Sequence, residues 1–389
     1  MDYLKTGYVQ TKSFNYYAML AVYAFLLLPF LSLSGVQSLM GSAAYSAYQS
    51  GAMVLLCVLV LFKVRYLPKD KFPWLYLAFY GLVFYSTVQH YGFSMGILVT
   101  TLAGFFIALL IERDTELIIR ALAIISVFAL LFNFLTIFRL GLHSRTDYFV
   151  GGKNSMSIFL IPSAFMVMAN TQIRKGRLTW FPLCYFALTA ITVFLTGSAT
   201  GIVTAIAMCI GAILVRRFKP SVFVLIICLI AAQFILVFLT DTLSQLPVWT
   251  RILDLLGKEE TLTSRAAIWD QTIDLVERNW LTGLGRGVQI QYLNSWGQRK
   301  IVGEAHNFFL ELLLEGGILG AVLYIMLLLV AVRNLNMDNI QHRIVLICFA
   351  VMMINGLAEA INNKMYVTII LAMLNAYSQS NTNTSPVKQ

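Results

Sequence analysis

Glu304-Ala-His306-Asn307 is the stretch of this sequence best furnished for chemistry. A carboxylate and an imidazole stand just ahead of an apolar run, Phe308 to Leu314, with the makings of a helix. His306 is suited to act as a general base or to orient a sugar hydroxyl, and Glu304 is the fallback base. The plainer reading makes His306 a helix-start residue that only bonds the backbone. No second His or Cys stands at ligand spacing from it, so neither a metal site nor a cofactor is expected. Fixed positive charge lies upstream. Arg265 falls in the first turn of a helix predicted from Ser264, its N-cap, to Asn279; a cation there opposes the helix macrodipole, at a cost of roughly 0.3 kcal/mol. Arg286 sits in Thr282-Gly-Leu-Gly-Arg-Gly287. Its glycines, Gly283 and Gly285, suit either a nest of backbone N–H groups for an anion or an ordinary turn. With Arg145 and Lys153, these cations could grip a diphosphate, since guanidinium forks hold phosphate oxygens bidentately without a metal. Surface ion pairs with nearby acids such as Asp270, Asp274 and Glu277 are the competing explanation. Finally, Asn355, Glu359 and Asn362 or Asn363 share one face of an apolar helix. Glu359 there either pairs with one of the arginines or makes an interhelical hydrogen bond.

The elements that must position these groups follow from composition. The chain has 389 residues, 59% hydrophobic and 12% charged, and a mean hydropathy of +0.77. A soluble domain carries about 25% charged residues, so this chain lacks the polar surface to cover a globule. It reads as an all-α integral membrane protein. At ~20 residues per crossing, its apolar content suffices for about 12 transmembrane helices. The expected spans are 15–34, 43–62, 73–89, 94–111, 118–138, 155–170, 179–196, 199–215, 221–239, 314–332, 343–361 and 365–378. The net charge of +10 is a matter of orientation and no sign of a nucleic-acid partner. Lys63, Lys69, Lys71, Arg174, Lys175, Arg177, Arg216, Arg217, Lys219, Arg333 and Arg343 all fall in segments placed inside when both termini are cytoplasmic. The five cysteines each lie within an apolar run and read as fillers.

Four regions result: helices over 1–239, a long outside loop over 240–305 with the amphipathic helix, C-terminal helices over 306–378 and a polar cytoplasmic tail over 379–389. Ile268, Trp269, Ile273 and Val276 give the loop helix its apolar stripe.

Taken in order, these pieces resemble the O-antigen ligase/polymerase family. The resemblance rests on Ser264-Arg265 with Trp269, on Asn279 to Gly287, and on His306-Asn307 with Leu310, Leu314, Glu315, Gly317 and Gly320. Gly151-Gly-Lys-Asn154 is similar to the family's earlier outside loop, and Thr196-Gly-Ser-Ala-Thr-Gly201 to its short hairpin turn. Ala199 stands where many members carry an arginine, and Arg286 is separated from Gly297 by an Arg-x10-Gly spacing described for polymerases. The resemblance implies a glycosyltransferase type-C-like fold in the inner membrane. It implies metal-independent, inverting transfer at the outer face from an undecaprenyl-diphosphate-linked oligosaccharide. In a polymerase a second such lipid is the acceptor; in a ligase the acceptor is lipid A core. Arg145, Lys153, Arg265 and Arg286 would hold the diphosphate and His306 or Glu304 would serve as base, with Asn307, Glu315, Glu359, Gly283 and Gly285 in support. A chain-length regulator and a flippase are the expected partners. A transporter is the alternative from another class, but polar residues gather in one outside loop and not in paired, broken helices at the midplane.

Overall fold

The computed structural model describes residues 14–64, 69–141, 147–238, 259–294 and 297–383. Arg145 lies outside the described residues. The described chain is nearly all helix, in the order α1 (Phe14–Leu27), α2 (Ser34–Met40), α3 (Ser42–Lys63), α4 (Phe72–Tyr91), α5 (Met95–Leu140), α6 (Ser155–Lys175), α7 (Trp180–Leu195), α8 (Ala199–Arg217) and α9 (Val222–Phe238). There follow α10 (Glu259–Arg278), strands β1 (Ile290–Leu293) and β2 (Arg299–Val302), α11 (Phe308–Val332), α12 (Ile340–Asn355) and α13 (Met365–Asn383).

Each expected span has a helix over most of it, but α12 ends at Asn355, so Glu359 and Asn362 lie in the segment after it and do not share its face as expected; the count of about twelve crossings stays an expectation. Among the described residues five helices are long and apolar enough to cross a membrane, or six if α1 and α2, bent by 90°, form one broken span. The others fall short for visible reasons. Helices α7, α9 and α12 have only 16, 17 and 16 residues. Helix α4 is rich in tyrosine and carries Gln89-His90 in its last turn, and α13 runs on to Asn383, into the stretch expected to be tail.

Helix α5 joins two expected spans in 46 residues, with a non-helical backbone at Asp114. Gly104 lies against Thr368 and Ser126 reaches Tyr366, whereas Asn375 donates to Glu112. Both arms therefore run beside α13, and the element folds back at Asp114. Tyr23 and Lys63 both donate to the Asp114 carboxylate at this bend. That end of the bundle is laced with charge: Arg333 pairs with Asp70, Lys219 with Asp338, and Arg343 donates to the carbonyls of Val215, Met337 and Asp338. Each contact saturates helix-end carbonyls or carboxylates that lipid could not.

A second, smaller core forms where the loop meets α11. Ile268 and Trp269 of α10 are buried with Leu284, Ile290, Leu310 and Leu314. The amphipathic stripe of α10 thus covers protein, and fully burying each large apolar side chain contributes about 1.5–3 kcal/mol. The β1–β2 hairpin, pairing Ile290 with Val302 and Leu293 with Arg299, is absent from the sequence reading, which expects only helix in this loop.

Candidate functional site

Helix α10 begins at Glu259, five residues before Ser264. Ser264 is therefore inside the helix and is no cap. Arg265 sits in the second turn, beyond the reach of the end dipole, so the expected dipole penalty does not apply. Its side chain instead crosses to the segment 356–364 between α12 and α13. Arg265 Nη2 donates to Glu359 Oε1 at 2.9 Å and reaches Thr200 Oγ1 at 3.5 Å. His306 Nδ1 faces the other oxygen of the same carboxylate at 3.4 Å. Glu359 is 5% exposed, so one buried carboxylate holds an arginine and a histidine.

The backbone around His306 is clamped on both sides. Trp269 Nε1–H donates to the Ala305 carbonyl at 3.1 Å, and the Ala305 N–H donates to Glu311 Oε2 at 2.6 Å. His306 itself has φ of 51°, a left-handed conformation that a residue with a Cβ adopts at a cost of about 1–2 kcal/mol. Asn307 is what holds it there. Its Oδ1 accepts from the N–H groups of Phe309 and Leu310, capping α11, while its Nδ2 donates to Gln233 Oε1 and the Leu357 carbonyl. His306 remains 29% exposed and open to a substrate.

The glycine turn has a different job from the expected anion nest. Gly317 breaks α11 with φ of 60°, freeing backbone groups that the turn takes up. Leu284 and Gly285 N–H groups donate to the carbonyls of Leu314 and Glu315 at 2.7 and 3.0 Å, and Ile318 and Leu319 donate back to Trp280 and Leu281. The N–H of Gly283 goes to Asn279 and that of Arg286 to Thr87 Oγ1. With these four N–H groups engaged, no nest is left for an anion. A Cβ on Gly283 would stand 2.6 Å from Gly317 N, and one on Gly285 2.2 Å from Thr87 N. Close approach explains both glycines. Gly297 belongs to the β1–β2 turn, with φ of 70° and its N–H bonded to Asn294; its spacing from Arg286 has this local explanation.

The turn delivers Arg286 to Glu315, 3.0 Å from Nε to Oε1, and Asn362 Nδ2 donates to Glu315 Oε2 at 2.9 Å. The guanidinium also lies over the Tyr80 ring. Burial pulls the Arg286 pKa down, but Glu315, Tyr80 and Tyr76 more than offset it, leaving it above the ordinary value. Burial of Arg265 lowers its pKa, with Glu359 opposing. Both stay cationic at any working pH. The Nη2 of Arg286, Thr101 Oγ1 and Asn363 Oδ1 are buried without a hydrogen-bond partner, and all three residues line one cavity of about 20 Å³.

Glu304 pairs with Lys364 at 2.9 Å. Lys153 is exposed and makes no ion pair among the described residues. Three ion pairs thus depend on one short segment, through Glu359, Asn362 and Lys364. Arg265 is joined to His306 through Glu359, while Arg286 belongs to the separate Glu315 pair. Ser198, at the N-cap of α8, donates to Asn154 Oδ1 and so ties the hairpin turn to the 147–154 loop. The sequence reading missed Gln233, Thr87, Glu311 and the Lys364 pairing. Gln233 is a lone polar residue within an apolar run, and Thr87 lies in a polar patch, Ser86 to His90, at the end of one.

These features define a multi-pass membrane protein with a charged site between its last loop and the long loop before α11. Residues 184–325 match the family model described as O-antigen ligase. The match covers just over a third of the chain and supports, over that segment, the resemblance to the O-antigen ligase/polymerase family. The matched segment includes Thr196–Gly201, Arg265, Arg286, His306 and Glu315; Lys153 and Glu359 lie beyond it. No curated protein matches the chain.

Proposed function

We propose that this protein polymerises undecaprenyl-diphosphate-linked oligosaccharide units at the outer face of the cytoplasmic membrane, with both termini in the cytoplasm. The observation that carries the reading is the Glu359 carboxylate shared by Arg265 and His306. Arg265, with Arg286, Lys153 and Arg145 in support, meets the diphosphate of the donor. As the bond from the anomeric carbon to the diphosphate oxygen breaks, its electron pair passes to the leaving diphosphate. Fixed guanidinium charge stabilises that growing anion without reorganising. The acceptor hydroxyl attacks the anomeric carbon from the opposite face, so the configuration inverts. Its proton passes to His306. With Nδ1 turned to Glu359, Nε2 is the nitrogen free to take it, and Glu359 stabilises the imidazolium that forms. Glu304, engaged by Lys364, is the reserve base. None of these roles draws on a metal or cofactor.

Ala199, in place of the hairpin arginine, supports a polymerase. The description of the matching family supports a second reading, transfer of the finished glycan to lipid A core. A chain-length regulator and a flippase would then be partners of the first reading. The lipid-linked glycans of a deletion strain separate the two. Single units accumulating, with multimers lost, is the polymerase result; multimers accumulating on the carrier is the ligase result. Unchanged glycans would exclude both.

A further inference from the structure

Beside the charged site lies a cavity of about 150 Å³ that none of the roles above uses. A bound water needs roughly 15 Å³, so this space takes a group of many atoms. Three parts of the fold wall it: the elbow where α1 ends and the chain turns 90° into α2, the start of α6, and the start of α13. Ser32, Ser34 and Ser155 supply hydroxyls, Lys364 an ammonium, and Phe30 and Tyr366 apolar faces. A few convergent polar groups among aromatic walls are what a sugar ring requires, with its hydroxyl rim and C–H faces.

The elbow is held open at a cost. Ser32 has φ of 54°, the left-handed region, where a residue with a Cβ is strained. The N–H of Gly35 donates to the Phe149 carbonyl at 2.7 Å, and Ser34 Oγ donates to Asp147 Oδ2 at 3.1 Å. These bonds fix the elbow against the loop before α6. The charge of the cavity also points to a neutral guest. Lys364, paired with Glu304, is the one cation among its lining residues, and Arg265 and Arg286, the cations given to the diphosphate, do not line it. Position then selects the guest. Lys364 leads directly to Glu304, two residues from His306, and Met365 lines both this cavity and the small one that holds Arg286 Nη2.

Resting on the glycosyl-transfer reading, we propose that this cavity binds the terminal sugar ring of the acceptor and presents its hydroxyl to the base. Purified full-length protein in nanodiscs tests it with two separate probes. One is the free oligosaccharide unit released by mild acid from the lipid-linked pool of a deletion strain; the other is undecaprenyl diphosphate alone. Ser155→Trp fills the cavity from its rim, and is expected to weaken oligosaccharide binding at least about tenfold while the carrier diphosphate binds as before. Ser34→Ala, which trims the wall without filling it, shifts the oligosaccharide alone and by less. Ser155→Ala, which removes one lining hydroxyl without filling the space, weakens the oligosaccharide by less than Ser155→Trp does and leaves the carrier diphosphate as before. Unchanged oligosaccharide affinity in both Ser155→Trp and Ser34→Ala overturns the proposal. So does equal weakening of both probes in both variants, because the cavity is then not selective for sugar. Failure of the broader reading registers differently: wild-type protein would not bind the carrier diphosphate, whatever the serine variants do.

Discussion

Arg265 and Arg286 each arrive at the site with a buried carboxylate already in place. Such a pair is a poor source of stability, but breaking one by removing a single partner costs about 3–5 kcal/mol, because the other charge is left buried. Arg286→Ala strands Glu315, which is 2% exposed. It is expected to lower the yield and melting temperature of the purified protein, and Arg286→Gln with Glu315→Gln is expected to restore both; thermal denaturation in detergent checks this. His306→Ala is expected to behave differently. It sits at an exposed edge of the cluster, so stability and donor affinity should hold while turnover falls by about 10²–10⁴, the usual share of a general base. Steady-state kinetics on lipid-linked substrate decides the point: a collapse of donor affinity at undiminished turnover would make His306 a phosphate ligand.

At the scale of elements, the loop 280–287 and the broken α11 are one structure, each completing the backbone hydrogen bonds of the other. Gly285→Ala would drive a Cβ to 2.2 Å from the Thr87 backbone at a left-handed position, so a marked loss of thermal stability is expected. Gly303→Ala is the control, since no atom lies within 4 Å of its added Cβ. Size-exclusion profiles after heating would show the contrast. This interlock also shows where sequence stops being informative. Gly283 and Gly317 are conspicuous in the sequence, but their contact spans more than thirty residues, and nothing local announces it. The long apolar runs were legible because lipid demands them. The bend at Asp114 was not, since Glu112, Arg113 and Asp114 read as a loop between spans, whereas the helix carries them and Lys63 and Tyr23 hold the kink. The alternation of Val288, Ile290 and Tyr292 with Gln289 and Gln291 did announce β1, but strands of only four residues, the second mostly exposed, make it a short signal beside the long apolar runs. Arg265, Glu359 and His306 were each visible as misplaced polar groups; that Glu359 serves both others needed the fold.

For the whole molecule, charge is segregated to two ends. One end carries the Lys63–Asp114, Arg333–Asp70 and Lys219–Asp338 pairs, the other the Arg265, Arg286 and Lys364 cluster. On the proposed reading, the basic excess near the first end places that end in the cytoplasm. Single cysteines placed at Gln298 and Arg177 in a chain freed of its own cysteines are expected to react with an impermeant maleimide from opposite sides, Gln298 from outside. The reverse pattern would turn the site toward the cytoplasm and remove its lipid-linked substrate from reach. The central claim is that fixed cations at the outer end grip a lipid diphosphate while its sugar departs. Its most direct test is a titration of the purified protein with undecaprenyl diphosphate in the presence of EDTA, comparing wild type with Arg265→Gln/Glu359→Gln, a double variant that leaves no buried charge unpaired. The account predicts metal-free binding by wild type and at least about tenfold weaker binding by the variant; equal affinity in the two proteins would contradict it.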